Sequence, residues 1–286
     1  MMSLKDTKRR INGVKNTQKI TRAMKMVSSA KFARAIHAFT YSQPYRTSFA
    51  SVLSRLLQRE EITHPLLTVR EEKKNLCIVL ATDRGFCGGL NSNLLKFSAA
   101  FLRDKKEQAC TVELWGKKAK PLEKMGLATV ASLVEKVLER PSYEFCLSTI
   151  QRLSRAYEAG EIDGAYILYP SFKNAVVQEP EVKRFFPFLR EDLPVEKVET
   201  RFSGLILEPD AVSLFPSMME KYLAVQLYQI LLESAVSEHA SRMAAMDNAT
   251  NNADEVIQKL TLNYNRARQA AITKELIEIT SGAEAL

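Results

Sequence analysis

The C-terminal run from Pro216 to about Thr280 constrains the fold most, because it has the length and the pattern of one long helix. It contains no further proline, and its only glycine, Gly282, lies past that point. Two series of mostly apolar or small residues recur at seven-residue intervals. The series are Val236, Met243, Thr250, Ile257, Tyr264, Ala271 and His239, Met246, Ala253, Leu260, Ala267. A seven-residue period predicts a coiled coil, so about 65 residues would form a rod about 95 Å long that needs a partner helix.

Residues 247–254 (DNATNNAD) are the weak point of this rod. Asn, Asp and Thr are poor helix formers that cost about 0.5 kcal/mol each, and taken locally they indicate a turn that would fold the rod into a hairpin. The heptad pattern, however, passes through Thr250 and Ala253 without a shift. We therefore expect the segment to stay helical.

The first 35 residues carry almost all of the excess charge. They hold ten Lys or Arg and one acid, which gives +9, whereas the whole chain carries +8. Residues 4 to about 41 also follow a helical spacing, with Ile20, Met24, Val27 and Ala30 as the expected apolar stripe and Pro44 as an expected kink. Small residues are expected where the helices approach closely, namely Ala23, Ala30, Ala253 and Ala267.

Three interpretations of this basic arm compete. An Arg- and Lys-rich helix resembles a mitochondrial transit peptide, although its stripe runs beyond presequence length. A basic helix could also enter a DNA major groove, as in a bZIP protein, although the heptads lie about 200 residues away. The third possibility is an antiparallel coiled coil with the C-terminal run. Residues 217–286 hold nine acids against six Lys or Arg, and opposite charge favours this pairing.

Residues 75–190 have the pattern of a small α/β domain. Buried or alternating runs predict strands at 75–82, 111–115, 165–169 and 178–186, the last of these at an edge because of Pro180. Helices are predicted at about 90–105 and 141–159. Strands that alternate with helices indicate a mostly parallel, Rossmann-like sheet. Residues 191–215 are expected to be a linker, so the predicted segments are 1–60, 75–190, 191–215 and 216–286.

Few residues in the chain are placed for catalysis. The loop 83–89 (DRGFCGG) lies between a strand and a helix and suggests phosphate binding, but it matches neither GxGxxG nor a Walker loop. The three histidines are far apart, and the four cysteines form no CxxC pair, so free thiols are expected rather than zinc.

Composition and hydropathy exclude other classes of protein. The 46% hydrophobic content argues against disorder, and the sequence contains no run of about 18 apolar residues that could span a membrane. Nothing near the start indicates secretion.

Four segments resemble the gamma subunit of F-type ATP synthases. They are 11–27 (INGVKNTQKITRAMKMV), 83–91 (DRGFCGGLN), 237–243 (SEHASRM) and 267–276 (ARQAAITKEL). The resemblance covers the whole chain in order. It implies an antiparallel two-helix shaft made by the chain ends, with the α/β domain as its foot.

The resemblance also implies a function. The shaft would stand as one copy in a ring of alpha and beta subunits, with the foot and the epsilon subunit on the membrane ring of c subunits, and it would carry rotation driven by proton flow. The chain itself would have no catalytic residue, cofactor, metal or nucleic-acid partner. The absence of an inserted cysteine loop in 190–216 and of a presequence points to a bacterial protein on the cytoplasmic face of the cell membrane.

Specific residues take roles from this resemblance. The contacts that couple the shaft to the catalytic head would be Met24, Arg242, Arg268, Gln269, Thr273 and Glu275. A basic face toward acidic loops of beta would consist of Lys8, Arg9, Arg10, Lys15, Lys19 and Lys25. The ring-facing foot would include Leu205, Leu207 and Glu208. The end of the C-terminal helix, with Ile272, Leu276, Ile277 and Ile279, would extend alone into an apolar collar.

Overall fold

The computed structural model describes residues 4–59, 62–105, 108–193, 208 and 210–284. The chain forms two compact units, one made of Met1–Ser29 and Arg242–Leu286 and the other of Ala30–Ser241. Two long helices contribute to both units: α1 spans Leu4–Arg59 and α4 spans Ala211–Glu284.

In the first unit α1 and α4 are antiparallel and held in one register. Three polar pairs join them, and each step of three or four residues up α1 is matched by a similar step down α4. The pairs are Gln18 with Asp254, Thr21 with Thr250 and Lys25 with Asp247. The two threonine hydroxyls lie 2.8 Å apart and are buried, and the Lys25 ammonium lies 2.6 Å from the Asp247 carboxylate. The predicted antiparallel pairing of the chain ends is therefore confirmed.

The side of α1 that faces α4 differs from the expected stripe. We call the surface of α1 that packs against α4 the seam. Its residues are spaced by alternating steps of three and four and are buried or half-buried: Ile11, Val14, Gln18, Thr21, Lys25 and Ser28. The expected stripe was wrong, because Ile20 and Val27 are 60% and 58% exposed. Ala23 and Ala30 are exposed as well. On α1 the seam is thus largely polar, and part of the apolar surface faces outward.

Both long helices continue through residues that oppose helix formation. The segment 247–254 stays helical, as expected, since it lies wholly within α4. Pro44 and Pro216 both lie inside helices, although a proline removes one backbone hydrogen bond. Near Pro216, Phe215 and Met219 are completely buried. This packing offsets the loss, so α4 begins at Ala211 rather than at the expected 216.

The second unit contains a five-stranded sheet in the order β3-β2-β1-β4-β5. The strands are β1 Lys74–Leu80, β2 Ala109–Trp115, β3 Thr129–Val134, β4 Gly164–Phe172 and β5 Gln178–Phe186. The first four are parallel, and β5 is antiparallel to β4. This confirms the mostly parallel, Rossmann-like sheet and the edge position of β5. Strand β3 was not predicted, and β4 continues through Pro170, where the sequence suggested an end.

Helices cover both faces of the sheet. The helix α2 (Leu90–Asp104) packs on one face through Leu94 and Leu102. The other face is covered by α3 (Tyr143–Glu158) and by the parts of α1 and α4 that belong to this unit. Phe49 of α1 packs edge-on against Tyr222 of α4, with ring centroids 6.0 Å apart. The four cysteines are free thiols.

The turn after β2 requires a glycine. Gly116 has a φ of 94°, and a Cβ atom there would lie 2.1 Å from the carbonyl oxygen of Ala81. Its own N–H donates to Val134 O, which ties the end of β2 to β3. A side chain at this position would therefore push apart the backbones of neighbouring strands.

Gly116→Ala should reduce the free energy of unfolding by about 3 kcal/mol or more, because it adds a backbone clash to the strain of a positive φ. Gly126→Ala is the matched control, since Gly126 also has a positive φ of 61° but open space around its Cβ position; it should cost about 1 kcal/mol. Urea unfolding measures both. Equal losses would contradict this account of Gly116.

Thr21→Val should cost about 1 kcal/mol of unfolding free energy, because it removes one buried hydrogen bond across the seam. The double variant Thr21→Val/Thr250→Val should cost less than the two single losses added together, since two apolar groups of the same shape then meet. Thr261→Val is the control, because the exposed Thr261 hydroxyl bonds only Ile257 O. A double-mutant cycle in urea tests this, and additive losses would show that the two hydroxyls are not coupled.

Candidate functional site

The C-terminal end of α4 presents an exposed apolar surface. Its large apolar side chains are Ile272, Leu276, Ile277 and Ile279, which are 47%, 58%, 57% and 68% exposed. Within 261–280, the side chains that the structure describes are exposed except for the half-buried Tyr264 and Ala271. Four such side chains on one helical end are more than scattered surface residues and indicate a surface that a partner covers.

The predicted coupling residues fall into three groups. Arg268, Gln269 and Thr273 are exposed, and the Thr273 hydroxyl donates to the Gln269 carbonyl oxygen at 2.9 Å. Met24 is half-buried beside the seam. Arg242 is only 8% exposed, so little of its side chain is available to a partner.

The side chain of Glu275, the sixth predicted coupling residue, lies outside those that the structure describes. For the foot, Leu205 and Leu207 lie outside the described residues, whereas Glu208 is exposed. The structure therefore describes one member of the predicted ring-facing set.

Five of the six predicted basic residues are exposed on α1. They are Lys8, Arg9, Arg10, Lys15 and Lys19. Lys25 differs, because its ammonium group pairs with Asp247 within the chain. The two side chains of this pair are 41% and 44% exposed, and such pairs contribute about 0–1 kcal/mol. The available basic face is thus concentrated toward the start of α1.

The sequence interpretation missed the residues that fix the helix register. Gln18, Asp247 and Asp254 were counted only as polar or charged positions, although each pairs across the seam. The signal was present, because a three-four spacing beginning at Ile11 runs through Gln18. The opposing heptad of α4, with Met246, Thr250 and Ala253 buried, matches the predicted series.

The glycine-rich loop 83–89 uses its charged side chains within the chain. The Asp83 carboxylate accepts hydrogen bonds from the backbone N–H groups of Lys117 and Lys136, at 3.2 and 2.9 Å. Arg84 forms an ion pair with Glu139 at 3.1 Å. The Ser241 hydroxyl donates to the Cys87 carbonyl oxygen at 2.7 Å. These contacts give the loop a bracing role between strand ends and helices.

None of the helices in the described ranges combines the length and apolarity needed to cross a bilayer.

Comparison with known proteins identifies the family. The family model described as "ATP synthase" matches residues 3–286. A curated relative from Pelotomaculum thermopropionicum, named ATP synthase gamma chain, is 40% identical, with 100% of each chain covered. The relative of the same name from Geobacter metallireducens is 39% identical over 100% of this chain and 99% of its own.

Solved structures agree on the fold. The OSCP/F1/c-ring structure of the Euglena gracilis mitochondrial ATP synthase, in rotational state 3, matches with a TM-score of 0.69 at 20% identity, covering 99% of this chain and 94% of that chain. The central stalk and c-ring structure from Tetrahymena thermophila matches with a TM-score of 0.62 at 24% identity, covering 80% and 99%. At these identities the similarity shows the architecture, namely paired terminal helices with a central sheet.

The comparisons give no support to a nucleic-acid-binding protein or a nucleotide-dependent enzyme, the two alternatives that the basic arm and the glycine-rich loop had left open. Full-length identity of about 40%, a family model over nearly the whole chain and the shared fold all agree, and this chain belongs to the gamma-chain family of ATP synthases.

Proposed function

We propose that this chain is the central rotor shaft of a proton-translocating ATP synthase. Rotation of a membrane ring of c subunits would turn the α/β foot, and the paired helices would carry that rotation to a ring of alpha and beta subunits. The observation that carries the proposal is an antiparallel helix pair in a fixed register whose longer helix ends in an exposed apolar surface. Such a rod can transmit torque and can turn inside a partner.

In this proposal the chain performs no catalysis itself. ATP synthesis or hydrolysis would take place on the beta subunits, and the shaft would change their conformations in turn. The protein would be attached peripherally to the cytoplasmic face of a bacterial membrane through the c-ring and the epsilon subunit. Exposed Glu208, together with Leu205 and Leu207, would contribute to that attachment.

The exposed end of α4 would engage the head. Arg268, Gln269 and Thr273 are solvent-accessible and would contact loops of the alpha and beta subunits, together with Glu275. Met24 would contribute from the edge of the seam. Because Arg242 is almost buried, it would act by supporting the helix rather than by a broad contact with the head.

The basic face would meet acidic loops of the beta subunits. Exposed ion pairs are individually weak, about 0–1 kcal/mol, and weak pairs can form and break as the shaft turns. A single strong, desolvated pair would hold the rotor at one angle. Many exposed charges, such as Lys15 and Lys19, suit a moving contact better.

Reconstitution tests the proposed function directly. The purified chain should show no ATPase activity alone and should restore rotation-coupled ATP hydrolysis when it is assembled with the alpha and beta subunits of the same enzyme. A bead or rod attached to the foot should then rotate during hydrolysis. Failure to assemble with these subunits, or ATPase activity of the isolated chain, would overturn the proposal.

The triple variant Ile272→Ser/Leu276→Ser/Ile279→Ser should weaken assembly with alpha and beta subunits at least about tenfold, because three apolar side chains no longer leave water on binding. Its own unfolding free energy should change by less than about 0.5 kcal/mol, since the replaced side chains are exposed in the isolated chain. A matched control replaces three exposed valines of the β4–β5 hairpin, Val176, Val177 and Val182. Unchanged assembly of the α4 variant would show that this end does not bind the head.

The double variant Lys15→Gln/Lys19→Gln should slow association with the alpha and beta subunits several-fold at low salt and much less at high salt, because exposed charges act mainly on the rate of encounter. Its stability should match the wild type. Lys25→Gln provides the contrast: it should lower stability by up to about 1 kcal/mol through loss of the Asp247 pair, with a smaller effect on the rate. Stopped-flow association that is the same for wild type and Lys15→Gln/Lys19→Gln at low salt would contradict a basic docking face.

A further inference from the structure

A polar cavity lies in the second unit between α1, the sheet and α4. Its volume is about 290 Å³, close to the lower end of sites that hold small organic ligands. Its walls include Arg46 of α1, Tyr169 of β4, Lys183 of β5, and Gln226, Gln229 and Glu233 of α4. Two helices and two strands thus bring polar groups to one space.

Arg46 and Lys183 are the two cationic side chains of the cavity lining. Within the described ranges, neither Arg46 nor Lys183 forms an ion pair or a side-chain hydrogen bond with another residue. Lys183 lies opposite the fully buried Ile167 in the β4–β5 register, on the face of the sheet that is covered by α1, α3 and α4. Its half-buried position reduces the water available to solvate its charge, which favours a bound anion.

The neighbouring polar groups are already engaged. The Glu233 carboxylate accepts hydrogen bonds from the Ser171 hydroxyl and the Phe172 N–H, at 2.7 and 2.8 Å, so its charge is held at the end of β4. The Gln229 amide donates to the Ser42 hydroxyl at 2.6 Å. With one carboxylate against two cations, the cavity lining keeps a formal charge of +1.

Gln226 supplies an independent sign of a missing ligand. Its side-chain nitrogen donates to the Tyr222 hydroxyl at 2.6 Å, but its side-chain oxygen is buried and lacks a hydrogen-bond partner among the described residues. The residue is 9% exposed and lines the cavity. A buried acceptor without a donor costs about 1–3 kcal/mol, so a group that donates a hydrogen bond would fill a real need.

We propose that this cavity is a binding site for a small protonated oxyanion, of which hydrogen phosphate is the simplest example. Arg46 and Lys183 would donate to its oxygen atoms, because charge-assisted bonds from guanidinium and ammonium groups are the usual contacts to phosphate. The O–H group of the anion would donate to the side-chain oxygen of Gln226. A ligand held by α1, β5 and α4 together would brace both long helices against the sheet. This inference does not depend on the rotary function.

Binding can be measured on the full isolated chain by calorimetry and thermal unfolding. Sodium phosphate near neutral pH should raise the Tm in a saturable way compared with chloride of equal ionic strength. Sulfate should bind more weakly, because it has no proton to donate to Gln226 at that pH. Equal affinity for sulfate would overturn the assignment of a protonated ligand, and no saturable effect of phosphate would overturn the site.

Variants locate the effect. Arg46→Gln and Lys183→Gln should each weaken phosphate binding at least about tenfold, since each removes a charge-assisted hydrogen bond. Arg155→Gln and Lys96→Gln are the matched controls, because both residues are exposed on helices outside the cavity; they should bind phosphate like the wild type. If all four variants bind phosphate equally, the anion does not bind in this cavity and the proposal fails.

Discussion

The contact between the Thr21 and Thr250 hydroxyls is the constraint on which the helix pair depends. Both groups are buried, and each needs a polar neighbour. A slip of one heptad along α4 would place Thr21 against Met243 or Ile257, which offer no hydrogen bond. Each hydroxyl can also donate within its own helix, to the carbonyl oxygen of Gln18 or of Met246, so a slip would cost the net value of the cross-helix hydrogen bond, about 0.5–1.5 kcal/mol. An apolar seam would bind more tightly but would discriminate less between registers.

The same seam explains why the exposed surface of α1 was predicted incorrectly. A helix that buries a stripe within its own chain normally places apolar residues there. Here Gln18 and Lys25 take seam positions, while Ile20 and Val27 face outward. An apolar residue on a helix surface can serve a contact within its own chain or a contact with another chain. Sequence pattern alone cannot separate the two uses.

The α/β unit was predictable because its strands are buried on both faces. Runs such as 75–80 are almost wholly apolar and could only be core strands. Strand β3 was missed because TVASLV is neither a continuous apolar run nor a strict alternation of polar and apolar residues. It lies at a sheet edge, where its side chains are exposed or half-buried. Helix α4 begins five residues before Pro216 because tertiary packing around Phe215 outweighs a local preference. Boundaries failed where packing decided them.

Burial decreases along α4, so the first part of the helix is stabilised by the core of the chain and the last part is not. Residues 222–227 are all buried, so that part of the helix is held by the core. Beyond residue 260 most described side chains are exposed, and a helical segment of about 20 residues without packing is marginal in water. Its helical state therefore draws on the continuous helix behind it and on any surface that covers Ile272 and Leu276. A helix that is packed in the core at one end and has an exposed apolar surface at the other is suited to bind a second protein through its exposed end.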